Sequence, residues 1–256
     1  MSYPGGKDGA GVWQKIISHI PRHRVLVELF GGSAAVTRHI LPAERNIVVE
    51  VDAAVIAGEG DKIRRACPTV ELINEHAFRF VETAPIEDDW CAYFDPPYHP
   101  STLKSRERYE HVLTAEEHDV MLGLAVKLPC AVLISGYRCE SYDRMLSDWY
   151  RLDYICGTRG GPAVESLWSN RGVPEWPHDG RFVGEDFRER ETRSRRRETI
   201  QRRAAAVDPA ELLTMAEDIA CSIADRGGEV LLEEVLTGIR NRRQWRAKQL
   251  GRVNER

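Results

Sequence analysis

Residues Trp90 to Phe94 form a short apolar run that ends abruptly in Asp95-Pro96-Pro97-Tyr98. Aromatic and aliphatic residues following the polar Glu87-Asp88-Asp89 read as a buried strand. Proline has no N–H for a sheet ladder and confines the residue before it to extended backbone. The strand therefore stops at Asp95, and Asp95 and Pro96 are held in a narrow geometry past its carboxyl end. In an open α/β sheet that edge is where ligands bind.

The rest of the chain supplies the sheet. Val25 to Leu29 is a β-branched run that breaks at Phe30-Gly31-Gly32-Ser33 and resumes with helical spacing through Ile40, which predicts strand, tight turn and helix. Further strands are expected over Asn46–Val51, Val70–Ile73, Cys130–Ile134 and Tyr150–Cys156, with a last short one carrying Glu165-Ser166-Leu167-Trp168-Ser169-Asn170. Val12 to Ile20 has helical spacing, Thr114-Ala115-Glu116-Glu117 is a capping box, and another helix is expected around Tyr142–Leu146. Strands alternating with helices predict an α/β chain with a mainly parallel, doubly wound sheet.

Composition narrows the class. No apolar run approaches the roughly 20 residues of a membrane span, and the N-terminus lacks a signal-peptide layout, so a soluble, cytoplasmic protein is expected. The six cysteines contain no C-x-x-C pair and several fall in predicted strands, which favours buried thiols and no metal. A net charge of −4 means that any nucleic-acid binding must come from a local patch.

The chemistry follows from residue types at strand ends. The Asp95 carboxylate and the carbonyl of Pro96 are two acceptors suited to the two hydrogens of a planar amino group, and Tyr98 offers a ring for stacking. The same tetrapeptide also suits a strand followed by a proline turn. Tyr3-Pro4-Gly5-Gly6-Lys7 ahead of a helix offers N–H groups and one cation to a carboxylate or phosphate. Gly31 and Gly32 allow close backbone approach, and Asp52, about twenty residues on, stands where a nucleoside-binding α/β fold keeps an acid for ribose hydroxyls.

Together these motifs resemble the Dam-type, α-group DNA adenine methyltransferases over roughly residues 3 to 170. The resemblance implies a Rossmann-like methyltransferase sheet and S-adenosyl-L-methionine as cofactor. Tyr3, Gly6, Lys7, Phe30, Gly31, Gly32 and Ser33 would line the cofactor site, Lys7 at its methionine end. Glu28 would take the cofactor's amino group and Asp52 its ribose, with Ala77, Phe78 and Asp95 completing the set. Asp95, Pro96, Pro97 and Tyr98 would hold a flipped-out adenine of double-stranded DNA. Where the family has an acid and a phenylalanine for the cofactor's adenine, this chain has Glu75-His76-Ala77-Phe78. Only about eighteen residues separate Ala77 from Asp95, leaving no room for a large target-recognition insert, as in compact phage-like forms.

Sequence readout then falls to the polar, basic 99–113 loop, with Lys104, Arg106, Arg108 and Tyr109 as DNA contacts, or to the C-terminal region. His99, His111 and His118 read as loop or helix-surface bystanders. Residues 1–177 are expected to form the methyltransferase domain, 178–207 an arginine-rich linker or solvated helix, and 208–256 a helical hairpin opened by Asp208-Pro209. Rival readings are amino-methylation of cytosine in DNA or of protein glutamine, and a non-catalytic DNA-binding protein with the same fold.

Overall fold

A computed structural model of the chain describes Lys7 and residues 11–103, 112–158 and 161–227. Tyr3, Gly6, Lys104, Arg106, Arg108, Tyr109, His111 and the helix expected over Glu229–Trp245 lie outside the described residues. The chain divides into two compact units, Met1–Gly180 and Arg181–Arg256.

In the first unit, seven strands make one sheet: β1 (Val25–Leu29), β2 (Arg45–Glu50), β3 (Val70–Asn74), β4 (Trp90–Phe94), β5 (Ala131–Gly136), β6 (Tyr150–Thr158) and β7 (Gly161–Ser169). Their order is β3-β2-β1-β4-β5-β7-β6. The first five run parallel, and β7 is antiparallel to both of its neighbours. This is the Rossmann-like methyltransferase sheet that the resemblance implies. All five residues of β4 are buried, as befits a central strand covered on both faces. The chain winds outward from β1 to β3 and returns to β4, so the switch point lies between β1 and β4. Register there pairs Leu29 with Phe94, and the Asp95 amide donates to the Leu29 carbonyl at 3.2 Å. The tetrapeptide and the glycine turn thus leave the sheet side by side.

Among the described residues of the unit the α-helices are α1 (Val12–Ser18), α2 (Ala35–His39), α3 (Ala53–Ala66), α4 (Ala77–Thr83), α5 (Ala115–Ala125) and α6 (Glu140–Met145). The expected capping box is formed at α5, with Thr114 Oγ1 accepting from the Glu117 amide and Glu117 accepting from the Thr114 amide. Helix α3, which was not among the expected elements, buries only Gly60 and Ile63. His118 is not on the helix surface: it is fully buried in α5, with Nδ1 3.0 Å from the Tyr142 hydroxyl. Burial lowers its pKa to about 4, so the ring is neutral at physiological pH. Cys67, Cys91, Cys130 and Cys156 are buried.

Residues 178–180, which the sequence groups with the linker, are tied to the first unit. Pro177 bridges to Pro21, the His178 amide donates to the Ile20 carbonyl, and the Asp179 carboxylate accepts from the Leu41 amide. In the second unit, the arginine-rich segment is helical: α7 (Phe187–Ala204), capped by Asp186, with ion pairs Arg193–Glu189 and Arg195–Glu191 along it. It buries no residue, so its helicity rests on capping and on pairs one turn apart. The helix expected from Asp208-Pro209 is α8 (Pro209–Gly227).

Asn170 closes the antiparallel edge. Its side-chain oxygen accepts from the Val132 amide at 2.8 Å and its amide donates to the Cys130 carbonyl at 2.9 Å, continuing the β5 ladder beyond the last residue of β7. Asn170→Ala leaves both main-chain groups unpaired, and the expected loss is about 2 kcal/mol of unfolding free energy. Urea denaturation measures it, and an unchanged midpoint would refute the role.

Candidate active site

The turn after β1 is built against β2. A Cβ on Gly31 would lie 2.4 Å from Val48 Cγ1, so the glycine is required by packing on the sheet. Gly32 takes φ 50°, and two non-glycine residues, Phe30 at 58° and Ala34 at 48°, also adopt the left-handed region. Such conformations cost about 1–2 kcal/mol per residue and persist where neighbouring structure enforces them. Here the enforcement is two buried carboxylates. Glu50, the last residue of β2, accepts from the Gly32 amide at 2.8 Å and from the Asp52 amide at 2.9 Å. Glu28 accepts from the Thr37 amide at 2.7 Å and the Val36 amide at 3.3 Å, fixing the start of α2.

Asp52 sits one step further out. Its carboxylate accepts from the Ala54 amide and caps α3, and the residue is half-buried. The buried acid at the carboxyl end of β2 is therefore Glu50. Phe30 and Phe78 meet edge to face at 6.4 Å between centroids, beside the glycine turn. Ala77 opens α4, capped by the His76 ring, and Glu75 pairs with Arg79. An acid at each of two adjacent strand ends and a pair of half-buried rings form the set of acceptors and ring faces that an ammonium, a diol and a flat heterocycle require.

Across the switch point, Lys7 joins the tetrapeptide. Its ammonium is 2.8 Å from Asp95 Oδ1, 2.7 Å from Glu165 Oε1 and 5.3 Å from the Tyr98 ring centroid. Lys7 was expected at the cofactor's methionine end; here its side chain lies on the acid of the tetrapeptide. Ser135, at the end of β5, donates to the same Oδ1 at 2.8 Å, and the Tyr93 hydroxyl is 2.9 Å from Ser135 Oγ. Pro96 is buried, Pro97 half-buried, and Tyr98 packs against Tyr137 at 4.2 Å with its hydroxyl donating to Glu165 at 3.4 Å.

Burial governs the electrostatics. Desolvation alone would lower the pKa of Lys7, but Asp95 and Glu165 outweigh it and hold the ammonium charged well above the usual lysine range. Desolvation raises Asp95, and Lys7 and Ser135 pull it partly back. Glu28 is pushed up to about 7 by burial, against the amides that favour its ionised form.

Sequence reasoning missed Glu50, Ser135 and Tyr137. Glu50 was masked by Asp52 two residues later; Ser135 had a signal, as the lone hydroxyl ending an otherwise apolar strand. Among the described residues, no group of three or more His, Cys, Asp or Glu side chains is placed to hold a metal, and no helix is long and apolar enough to cross a membrane.

The Glu28 shift predicts a pH signature. A carboxyl whose folded pKa exceeds its unfolded one stabilises the fold while protonated, and that stabilisation is lost as pH rises from the ordinary carboxylate range through about 7. A shift from 4.5 to about 7 is 2.5 units, or about 3 kcal/mol at about 1.4 kcal/mol per unit. Between pH 5 and pH 8, wild type is expected to lose about that much stability relative to Glu28→Gln. Urea melts at both pH values test this, and parallel behaviour of the two proteins would reject it.

No family model and no curated protein matches the chain. Solved structures resemble it in fold. A SAM-dependent methyltransferase from Agrobacterium tumefaciens shares 14% identity at a TM-score of 0.43, over 62% of this chain and 59% of that one. The 23S rRNA methyltransferase ErmE shares 12% identity at 0.43, over 77% and 88%. A protein of Methanobacterium thermoautotrophicum described as precorrin 8W decarboxylase shares 16% at 0.44, over 66% and 92%. At these identities the likeness is one of fold.

Proposed function

We propose that the chain transfers a methyl group from S-adenosylmethionine to the exocyclic amine of adenine in DNA. The observation that carries this reading is Asp95 at the switch point: among the described residues its two donors, Lys7 and Ser135, both fall on Oδ1, which leaves Oδ2 for the hydrogens of an incoming amine. Glu28 and Glu50 at neighbouring strand ends, with Phe30 and Phe78, would hold the cofactor's ammonium, ribose and adenine. The cofactor supplies an electrophilic methyl group on a sulfonium.

The chain's own residues supply positioning and charge. An exocyclic amine has its lone pair conjugated with the ring, and accepting both of its hydrogens, at Asp95 and at the Pro96 carbonyl, turns that lone pair outward. As the bond to carbon forms, the nitrogen becomes cationic beside a carboxylate, which stabilises it. The proton is lost after transfer, so no strong base is required. A neutral, core-buried His118 is accordingly given no part. The adenine must leave the stack to reach Asp95, at a cost of a few kcal/mol. DNA would be gripped by the arginines of α7, of which Arg188, Arg196, Arg202 and Arg203 are exposed.

Nucleoside mass spectrometry after incubation of the protein with S-adenosylmethionine and DNA tests the reading: N6-methyladenine supports it, methylated cytosine assigns the amine to cytosine, and the absence of any methylated nucleoside rejects DNA as the substrate. Asp95→Ala is expected to lower transfer by about 100-fold or more while cofactor affinity stays within a few-fold. Transfer within about tenfold of wild type removes Asp95 from the role. For the grip, Arg196→Gln, Arg202→Gln and Arg203→Gln together are expected to weaken DNA binding, with a log–log salt slope shallower by about 0.9 for each phosphate that is no longer neutralised. An unchanged slope excludes that face of α7.

A further inference from the structure

Glu165 is 1% exposed, and a carboxylate so deeply buried persists only where donors surround it. Its Oε1 takes two of them, the Lys7 ammonium at 2.7 Å and the Tyr98 hydroxyl at 3.4 Å. The residue stands on β7 just beyond Ser166, the last residue paired to β5. It therefore reaches the site from a different strand than Asp95 or Ser135.

Resting on the function proposed above, we propose that Glu165 is a positioning residue for methyl transfer. Its carboxylate holds the Lys7 ammonium on Oδ1 of Asp95 and so leaves Oδ2 for the target amine. Lys7 is 5% exposed. An ammonium that poorly solvated, with Asp95 as its only counter-charge, holds its proton less firmly and is freer to withdraw towards water. Either event leaves Oδ1 with the Ser135 hydroxyl alone, and the two carboxylate oxygens then compete for the same incoming hydrogen. Two carboxylates on the ammonium prevent this, and Tyr98, bonded to Glu165, places the last residue of the tetrapeptide in the same frame.

The titratable neighbours are defined. Lys7 is faced by Asp95, Glu165, Tyr98 and Tyr93; Asp95 also feels Glu28; Glu165 is flanked by Tyr154, Tyr137 and Cys156. Removing the charge of Glu165 while keeping its shape takes from Lys7 a carboxylate that kept it protonated, and from Asp95 a negative neighbour that kept its carboxyl up. Both groups then titrate at lower pH.

The test compares the full-length protein with its Glu165→Gln variant, using S-adenosylmethionine and plasmid DNA across a range of pH. The Lys7 Cε resonance is followed in parallel in protein carrying 13C-labelled lysine and is assigned with Lys7→Arg. In the variant, kcat is expected to fall by about tenfold to 100-fold, as for residues that orient a reacting group from behind. KM for S-adenosylmethionine should stay within about twofold, and both limbs of the pH–rate profile should move to lower pH. The wild-type Lys7 resonance should remain that of an ammonium past the ordinary lysine pKa of about 10.4, and titrate earlier in the variant. A lower kcat with unmoved limbs would reduce Glu165 to a packing role and overturn the proposal. So would a wild-type Lys7 that titrates in the ordinary range, a result that stands even if the variant fails to fold. A wild-type protein with the expected Lys7 titration and no transfer to DNA would instead retain the charge relay and overturn the proposed function.

Discussion

The site depends on one buried ammonium. Lys7 lies within 3 Å of Asp95 on one side and of Glu165 on the other, and it is the cation that offsets them. Placing three charges out of water is costly, and such a cluster holds only when every member is hydrogen-bonded. Removing one partner of a buried pair typically costs about 3–5 kcal/mol, because the remaining charge is left unmatched. Lys7, the tetrapeptide after β4 and the antiparallel strand β7 are thereby fastened to one another at the point where the sheet reverses its order.

Much of this was legible in the sequence because chain punctuation is local. A proline pair ends β4 wherever it occurs, glycines must turn the chain after β1, and a threonine with a glutamate three residues on caps α5. These signals gave the strands, the two motifs at the switch point and the capping box. The contacts that turn motifs into a site were not legible. Nothing in residues 3–7 says that the lysine turns to the acid of β4 and away from the glycine turn, since that depends on which strand ends the topology brings together. The pairing of Glu165 with Lys7 spans more than 150 residues of sequence and arises only because β7 inserts antiparallel beside β5.

Two acids two residues apart show the same limit from another side. Glu50 and Asp52 both end a strand and both are acidic, and spacing from the glycines favours the second. The structure shows what each is already bonded to. Glu50 is the last residue in the ladder and its side chain is trapped under the turn after β1, bonded to the Gly32 amide, whereas Asp52 has already left the sheet and caps the next helix. A side chain spent on a helix cap differs from its neighbour in what it is already holding, and that inventory exists only in three dimensions.

The imbalance of charge around the switch point bears on the order in which ligands arrive. Asp95 and Glu165 share Lys7, and Glu50 ends the neighbouring strand, so carboxylates outnumber ammonium groups among these residues. A polyanion meets repulsion there until a cation has entered. A ligand carrying a sulfonium and an ammonium would supply that cation, and its departure as a neutral thioether would restore the repulsion. If the ligands are those of the proposed function, electrostatics alone would favour loading the small molecule before the duplex and releasing the duplex after turnover. Product-inhibition kinetics distinguish that order from random entry, and random entry would show that the carboxylates are screened before the duplex comes near.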